Sequence, residues 1–344
     1  LMVESRTEWR DLIQRSEDAG CDGIELNFGC PHGMCERGMG SAVGQEPRVL
    51  AEITGWAKEF ASVPVLVKLT PNVDDILVPG RAAVEARADG LSLINTIKSL
   101  IGVDLDRMAP LPSVAGEGTH GGYCGPAVKP IALHMVGALA REPGIEVPLS
   151  AIGGIATWRD AAEFMALGAA NVQVCTAVMH KGYRIVEDLI EGLNEFLDAK
   201  GIASATELVG QAVPNFREWG DLDLNYRIVA KIDADRCIGC HLCYIACLDG
   251  AHQCIHTAKS PCSAWHGEPD HGQRPRAAVL PPAHHEPRPG VSSQVPWVDE
   301  AECIGCNLCA LVCPVPGCIT MRESESSNER LSWKERSASA DQKA

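Results

Sequence analysis

Two cysteine runs near the C-terminus have the spacing that holds an iron–sulfur cluster. They read Cys237-x-x-Cys240-x-x-Cys243-x-x-x-Cys247 and Cys303-x-x-Cys306-x-x-Cys309-x-x-x-Cys313, the second followed by Pro314. Three thiolates at intervals of three residues can wrap one [4Fe–4S] cluster on a tight turn, and a fourth cysteine completes its ligand set. The spacing therefore predicts two clusters and a role in electron transfer.

The fourth cysteine of each run decides how the two clusters are shared. In a bacterial ferredoxin-type module, each fourth cysteine ligates the cluster of the other run. This arrangement gives one cluster to Cys237, Cys240, Cys243 and Cys313, and the other to Cys303, Cys306, Cys309 and Cys247. A pair of zinc knuckles is the alternative, but two such runs, each with its own fourth cysteine, seldom have a zinc counterpart. We therefore predict a small α+β, 2[4Fe–4S] ferredoxin-like domain over residues 231–321.

The composition limits the partners and the compartment. The chain has 344 residues, 46% of them hydrophobic, and a formal net charge of −15, which argues against nucleic acid as a partner. No apolar run approaches the about 20 residues that cross a bilayer, so no membrane role is expected. Sixteen cysteines would suggest disulfides in a short secreted domain, but here eight are assigned to clusters. We predict a cytoplasmic protein.

The N-terminal two thirds alternate short apolar runs with amphipathic helical stretches, which is typical of an α/β fold with a parallel sheet. Five buried strands are predicted over Gly23–Asn27, Val63–Leu69, Gly90–Asn95, Val147–Gly154 and Asn171–Ala177. Helices are predicted over Thr7–Ala19, Arg48–Phe60, Ala127–Ala140, Thr157–Leu167 and Tyr183–Ala199. Polar and glycine residues follow each strand, which favours a (β/α)₈ TIM barrel over a doubly wound sheet. Because a closed barrel needs eight strands, residues 1–200 are expected to form a partial barrel whose first two to three βα units are missing.

The rest of the chain is predicted to be less regular. Residues 201–230 are expected to link the barrel to the cluster domain. Residues 251–296 hold eight of the 22 prolines and six of the 11 histidines without periodicity, so we predict a disordered insert, either genuine or the product of a reading-frame slip. Residues 322–344 are predicted to be a disordered tail.

A glycine-rich loop after the first predicted strand carries the candidate catalytic residue. The stretch ELNFGCPHGMCERGMG, residues 25–40, places Cys30 between Gly29 and Pro31 in a polar loop. A thiol with the ordinary pKa of about 8.5 is protonated at neutral pH and can act as a general acid. Cys30 is therefore predicted to supply a proton at the mouth of the barrel.

Several motifs together resemble the catalytic subunits of NAD-dependent dihydropyrimidine dehydrogenases. They are the stretch at 25–40, KLTPN at 68–72, INT at 94–96, HGGYCGPAVKPIAL at 120–133, the GGI at 153–155 and VQVCTA at 172–177. The likeness covers most of residues 1–250 and 297–321. It implies an FMN-containing barrel fused to a two-cluster ferredoxin domain, which reduces uracil or thymine to the 5,6-dihydropyrimidine.

The resemblance also implies roles for individual residues. Cys30 corresponds to the acid that protonates pyrimidine C5. Asn27, Asn95 and Thr96 correspond to substrate-binding residues. FMN would contact Asn27, Lys68, Asn95, Gly125, Gly153, Gly154, Cys175 and Thr176. The carboxamide groups of Asn27 and Asn95 suit substrate binding because uracil presents paired hydrogen-bond donors and acceptors.

The resemblance further implies a partner. The only G-x-G-x-x-G match, at 116–121, lacks the flanking strand and helix of a dinucleotide site. NADH is therefore expected to act indirectly, through an FAD- and NAD-binding flavoprotein subunit that passes electrons to the clusters. Two alternatives remain open. One is an FMN oxidoreductase of the dihydroorotate dehydrogenase type, and the other is a ferredoxin-type electron carrier attached to an inert barrel fragment.

Overall fold

The computed structural model describes residues 1–32, 37–222, 227–250, 252–257, 295–324 and 334–335. The chain divides into an N-terminal unit, Leu1–Phe216, and a C-terminal unit, Arg217–Ala344. Most of the predicted disordered insert (251 and 258–294) and most of the predicted tail lie outside the described residues. The described part of residues 251–296 contains a short strand, so the prediction placed the start of the disordered insert too early in the chain.

Five parallel strands form the sheet of the N-terminal unit. They are β1 (Ile24–Asn27), β2 (Val65–Lys68), β3 (Gly90–Leu93), β4 (Leu149–Ala151) and β5 (Ala169–Val172). All five predicted strands are present, each shorter than expected. Every strand pairs with the next one along the chain, in the order β1-β2-β3-β4-β5. This sequential order is that of a (β/α)₈ barrel, because a doubly wound sheet reverses direction at a switch point.

Helices cover the outer face of this sheet. They are α1 (Arg6–Asp18), α2 (Ser41–Gly44), α3 (Pro47–Phe60), α4 (Leu77–Glu85), α5 (Lys129–Arg141), α6 (Trp158–Ala166), α7 (Thr176–Lys181), α8 (Ile185–Lys200) and α9 (Ala205–Leu208). The five predicted helices correspond to α1, α3, α5, α6 and α8. The apolar faces of α1, α3, α5 and α6 share one core with the strands, in which Leu26, Val67 and Leu91 are fully buried, whereas α8 packs in two smaller clusters.

Helix α4 was not predicted, because Pro79 and Gly80 interrupt its sequence and are poor helix formers. Both residues are buried. A Cβ atom added to Gly80 would lie 2.6 Å from Leu139 Cδ2, so the missing side chain lets α4 pack closely against α5. Tertiary packing therefore overrides the local preference.

An antiparallel excursion between β3 and α5 was also missed. Its short strands are Ile97–Ser99, Gly102–Asp104, Ala109–Leu111, Ser113–Val114, Glu117–Gly118 and Gly121–Tyr123. The G-x-G-x-x-G match falls here, and its first three residues belong to the hairpin of Ser113–Val114 with Glu117–Gly118. The motif therefore lies on antiparallel strands and not on a strand-to-helix turn.

The predicted linker over 201–230 differs from the structure. Helix α9 packs within the N-terminal unit because Leu208 is buried against Met165 and Leu197. The backbone N–H of Gly210 donates to the Met165 carbonyl oxygen at 2.9 Å, which ties the following turn to the same unit. A strand of the C-terminal unit already begins at Ile228. The division falls between Phe216 and Arg217 because apolar contacts extend past residue 200.

The C-terminal unit is a small α+β domain with an internal repeat. Its elements are β6 (Ile228–Ile232), α10 (Leu242–Asp249), β7 (Ile255–His256), β8 (Trp297–Val298), α11 (Leu308–Leu311) and β9 (Ile319–Glu323). Strand β6 pairs antiparallel with β9, and β7 pairs antiparallel with β8. The last ladder extends beyond residue 321, the predicted end of the domain. In the described ranges no helix is long and apolar enough to cross a membrane.

The two cysteine runs adopt the same turn. Gly239 and Gly305 have φ angles of 69° and 73°, a left-handed conformation in which glycine carries no steric penalty. His241 and Asn307, two residues further on, are also left-handed and immediately precede α10 and α11. The two runs are thus equivalent halves of one domain.

Candidate functional site

One cavity of about 790 Å³ lies at the carboxyl ends of the parallel strands. The nine residues predicted to contact flavin or substrate all line it: Asn27, Lys68, Asn95, Thr96, Gly125, Gly153, Gly154, Cys175 and Thr176. They come from the ends of all five strands and from the segment before α5. Because the carboxyl ends of parallel strands meet at one edge, residues far apart in sequence form a single site.

Two glycines after β4 form part of this wall, at positions where no other residue type fits. Gly153 and Gly154 have φ angles of +141° and +81°. A Cβ atom on Gly154 would lie 2.8 Å from the Gly125 carbonyl oxygen and 2.8 Å from Lys129 Cβ. Glycine is therefore required here so that this turn can pack closely against the segment from Gly125 to Lys129.

A charge network forms part of the cavity wall. Lys68 is only 8% exposed, and its Nζ atom donates to Glu25 Oε1 at 3.1 Å and to Gln173 Oε1 at 2.9 Å. The two N–H groups of the Gln173 Nε2 amide are shared among three oxygens, Glu25 Oε2 and the hydroxyls of Ser92 and Ser150. Gln173 therefore fixes both members of the ion pair.

This network keeps Glu25 ionised. Burial acts to raise the pKa of the Glu25 carboxyl, but the Lys68 charge and the hydrogen bonds from Gln173 and Ser92 outweigh it, so that the pKa lies below the ordinary value. The sequence reasoning missed Glu25 and Gln173. A signal was present, since Glu25 and Asn27 are two residues apart on β1 and so face the same side of the sheet.

The two predicted asparagines hold each other in place. Asn95 Nδ2 donates to Asn27 Oδ1 at 3.0 Å, and the backbone N–H of Cys30 donates to the same oxygen at 3.1 Å. The group that Asn27 can offer to a ligand is therefore its Nδ2 amide. Within the described part of the chain, Thr96 Oγ1 is buried without a hydrogen-bond partner. Thr96 lines the cavity, but this hydroxyl is enclosed by protein and packs against Gly122.

Cys30 does not itself line the cavity, but it is linked to the cavity wall through Asn27. Its Sγ atom lies 3.2 Å from His32 Nδ1. His120 Nε2 contacts the Pro31 carbonyl oxygen at 2.8 Å, so Pro31, which lies between Cys30 and His32, is also held in place. The loop continues into residues 33–36, which lie outside the described residues. The sequence reasoning missed His32, although it follows the candidate acid by two positions.

Two smaller cavities in the C-terminal unit divide the cysteines into two groups. One is lined by Cys237, Cys240, Cys243 and Cys313 together with Cys318. The other is lined by Cys303, Cys306, Cys309 and Cys247 together with Cys254. This grouping is what the predicted exchange of fourth ligands requires, and the ligand assignment stays a prediction. Each cavity has a fifth cysteine that the sequence reasoning left without a role.

The spacing of these thiols bears on the zinc alternative. A structural zinc ion draws four thiolates to about 2.3 Å, which brings them close together. In the described ranges no three His, Cys, Asp or Glu side chains converge closely enough to hold one ion.

Comparison with protein families agrees with this architecture. The dihydroorotate dehydrogenase family matches residues 5–197, and 4Fe-4S binding domains match residues 234–250 and 296–316. The chain therefore belongs to the dihydroorotate dehydrogenase family and carries a ferredoxin-type C-terminal domain. These matches confirm the predicted fold class of an α/β barrel followed by a ferredoxin-like domain.

Several curated proteins are similar over most of the chain. The NAD-dependent dihydropyrimidine dehydrogenase subunit PreA of Escherichia coli K12 is 43% identical over 256 residues, which is 74% of this chain and 62% of that protein. The chloroplastic dihydropyrimidine dehydrogenase (NADP(+)) of Arabidopsis thaliana is 43% identical over 222 residues, 63% of this chain and 52% of that protein. The resemblance inferred from the sequence motifs is thus confirmed.

A dihydroorotate dehydrogenase is also similar. The dihydroorotate dehydrogenase B (NAD(+)) catalytic subunit of Pyrococcus furiosus is 40% identical over 205 residues, 60% of this chain and 65% of that protein. The chain thus spans between 52% and 65% of the length of these three relatives. A crystal structure of the enzyme from Eimeria tenella with ferulenol matches with a TM-score of 0.49 and 21% identity, covering 61% of this chain and 58% of that one.

Proposed function

We propose that this chain reduces the 5,6 double bond of uracil or thymine, using FMN in the barrel and electrons that arrive through two [4Fe–4S] clusters. The observation that carries this proposal is the single cavity lined by all nine residues that the resemblance assigns to flavin and substrate. Bound there, FMN would supply the hydride for pyrimidine C6. The chain's own residues would bind the flavin and the pyrimidine and deliver the proton.

The cavity wall suits FMN in two respects. Gly125, Gly153 and Gly154 line the cavity, so backbone N–H groups there would be available to a phosphate. The buried ammonium group of Lys68 supplies positive charge, which stabilises an anionic ring system. Glu25 and Gln173 hold this ammonium group in one position.

The pyrimidine would be recognised by the polar groups next to the flavin site. The Asn27 Nδ2 amide is available as a donor, because the Asn27 Oδ1 atom already accepts from Asn95 and Cys30. Uracil presents carbonyl oxygens that accept from such an amide. Thr96 lines the same cavity, but its hydroxyl is enclosed by protein and would reach the substrate only after rotation of the side chain.

The proton would come from the loop after β1. The Cys30 S–H would turn toward the cavity that the neighbouring Asn27 lines, transfer its proton to pyrimidine C5 and become a thiolate. His32 Nδ1, 3.2 Å away, is placed to return a proton to that thiolate before the next turnover. The contact of His120 with Pro31 holds the loop between these two residues.

Electrons would reach the flavin from a partner. We infer that a flavoprotein subunit carrying FAD oxidises NADH and passes electrons singly to the two clusters, since PreA is itself named as a subunit. Both cysteine groups lie in the C-terminal unit, as the electron route requires. Reduction of one pyrimidine consumes two electrons and two protons. The hydride carries both electrons and one of the protons, and Cys30 supplies the other proton.

The competing substrate is orotate, because the Pyrococcus furiosus relative is a dihydroorotate dehydrogenase. The chain, reconstituted anaerobically with FMN, iron and sulfide and reduced with dithionite, is expected to convert uracil to dihydrouracil. Orotate should give no dihydroorotate above a control that lacks protein. Chromatography of both products measures this directly, and turnover of orotate in preference to uracil would overturn the proposal in favour of the alternative.

A further inference from the structure

The fifth cysteine of the second cluster cavity is in direct contact with a predicted ligand. Cys254 is 4% exposed, and its Sγ atom lies 3.5 Å from Cys247 Sγ. Backbone hydrogen bonds hold it there. The N–H of Gln253 donates to the Cys247 carbonyl oxygen at 3.2 Å, and the N–H of Asp299 donates to the Cys254 carbonyl oxygen at 2.7 Å. Cys254 is thus fixed at the end of α10, beside β8.

The direction of this sulfur–sulfur hydrogen bond follows from cluster chemistry. A cysteine that ligates iron is a thiolate and carries no proton. If Cys247 ligates a cluster, as the proposed function states, the one proton of the pair belongs to Cys254. A cubane takes four cysteines, so the fifth thiol stays outside the ligand set and donates S–H to the Cys247 sulfur.

The equivalent cysteine of the first cavity, Cys318, is also buried, at 2% exposure. Its Sγ atom lies 3.7 Å from the Asp233 carbonyl oxygen, and it also interacts with the thiols of Cys313 and Cys237. The Cys318 S–H group therefore has a backbone acceptor in addition to its sulfur neighbours. The second group receives a further donor, because the backbone N–H of Ala230 lies 3.4 Å from Cys303 Sγ.

We propose that Cys254 tunes the reduction potential of the cluster held by Cys303, Cys306, Cys309 and Cys247, by donating an S–H hydrogen bond to the Cys247 thiolate. Hydrogen bonds to cluster sulfurs stabilise the more negative, reduced state and so raise the potential. This cluster is thus expected to be reduced more easily with the Cys254 thiol present than in a variant that lacks it. The proposal makes Cys254 a positioning residue, one that acts on the cluster through its ligand.

The test is an anaerobic redox titration of the full chain followed by electron paramagnetic resonance. Cys254→Ala is expected to shift the one-electron equilibrium of one cluster about threefold to tenfold toward the oxidised form, where tenfold equals about 59 mV. Cys254→Ser retains a hydroxyl donor at the same place and should recover most of the shift. Cys318→Ala removes the equivalent buried thiol of the first cavity. This variant should leave the cluster held by Cys303, Cys306, Cys309 and Cys247 at its original potential.

The outcomes separate this proposal from the function on which it rests. If both clusters assemble in Cys254→Ala with unaltered potentials, the tuning role is wrong while the cluster assignment stands. An equal shift in Cys254→Ser and Cys254→Ala would also contradict it, because it would show that loss of the donor is not the cause. If Cys247→Ala leaves both clusters intact, the ligand assignment itself fails.

Discussion

Replacing Cys30 by alanine is expected to lower the rate of uracil reduction by about 10²–10⁴-fold, the usual contribution of a general acid. The alanine cannot donate a proton to C5, and His32 Nδ1, 3.2 Å from the thiol sulfur, would lose the partner that it serves. FMN and iron contents should stay unchanged, because Cys30 does not line the cavity and belongs to neither cysteine group. Steady-state turnover with dithionite as the electron donor measures the loss.

Two variants control this experiment. Cys30→Ser keeps the size of the side chain but offers a much weaker acid, so its turnover should also fall steeply. Cys21→Ala removes another half-buried thiol, one that does line the cavity, and should turn over uracil at the original rate if Cys30 is the acid. Retention of full activity in Cys30→Ala, with flavin bound, would show that the proton comes from another group.

The exchange of fourth ligands predicts opposite results for two double variants. Combining Cys240→Ala with Cys313→Ala removes two ligands from the same predicted cluster, so the chain should keep about four of its about eight iron atoms. Combining Cys240→Ala with Cys247→Ala removes one ligand from each cluster, and iron should fall toward zero. The physical basis is the grouping of Cys313 with the first run and of Cys247 with the second around separate cavities.

Ligation within each run would reverse these two outcomes, so the experiment discriminates between the arrangements. Iron and sulfide assays on anaerobically purified protein give the count. The Cys254→Ser variant is a control, because it alters a cysteine in the same cavity that lies outside the predicted ligand set. Its iron content should stay at about eight atoms per chain.

The sequence predicted those parts of the structure that depend on local patterns. Apolar runs of strand length located all five strands, and the polar residues that follow them located the cavity, because strand ends meet at one edge. The repeated Cys-x-Gly-Cys turn, seen at Gly239 and Gly305, follows from the same spacing rule. Alternation of strands and helices was sufficient to favour a barrel.

The missed features depend on contacts between distant parts of the chain. Helix α4 exists because Gly80 packs against Leu139, which no local preference reveals. The apolar burial of Leu208 carries the first unit past residue 200. Gln173 is recognisable as the centre of a network only once Lys68 lies beside it. The contact of Cys254 with Cys247 is likewise visible only in the structure, because the two cysteines are seven positions apart in sequence but adjacent in space.

The content of FMN, iron and sulfide in the purified, anaerobically handled chain tests the central claim most directly. The account predicts about one FMN and about eight iron atoms per chain, with a flavin absorption band that uracil perturbs. About eight iron atoms without flavin, after incubation with excess FMN, would contradict it. That result would favour an electron carrier, in which the barrel cavity has no catalytic role.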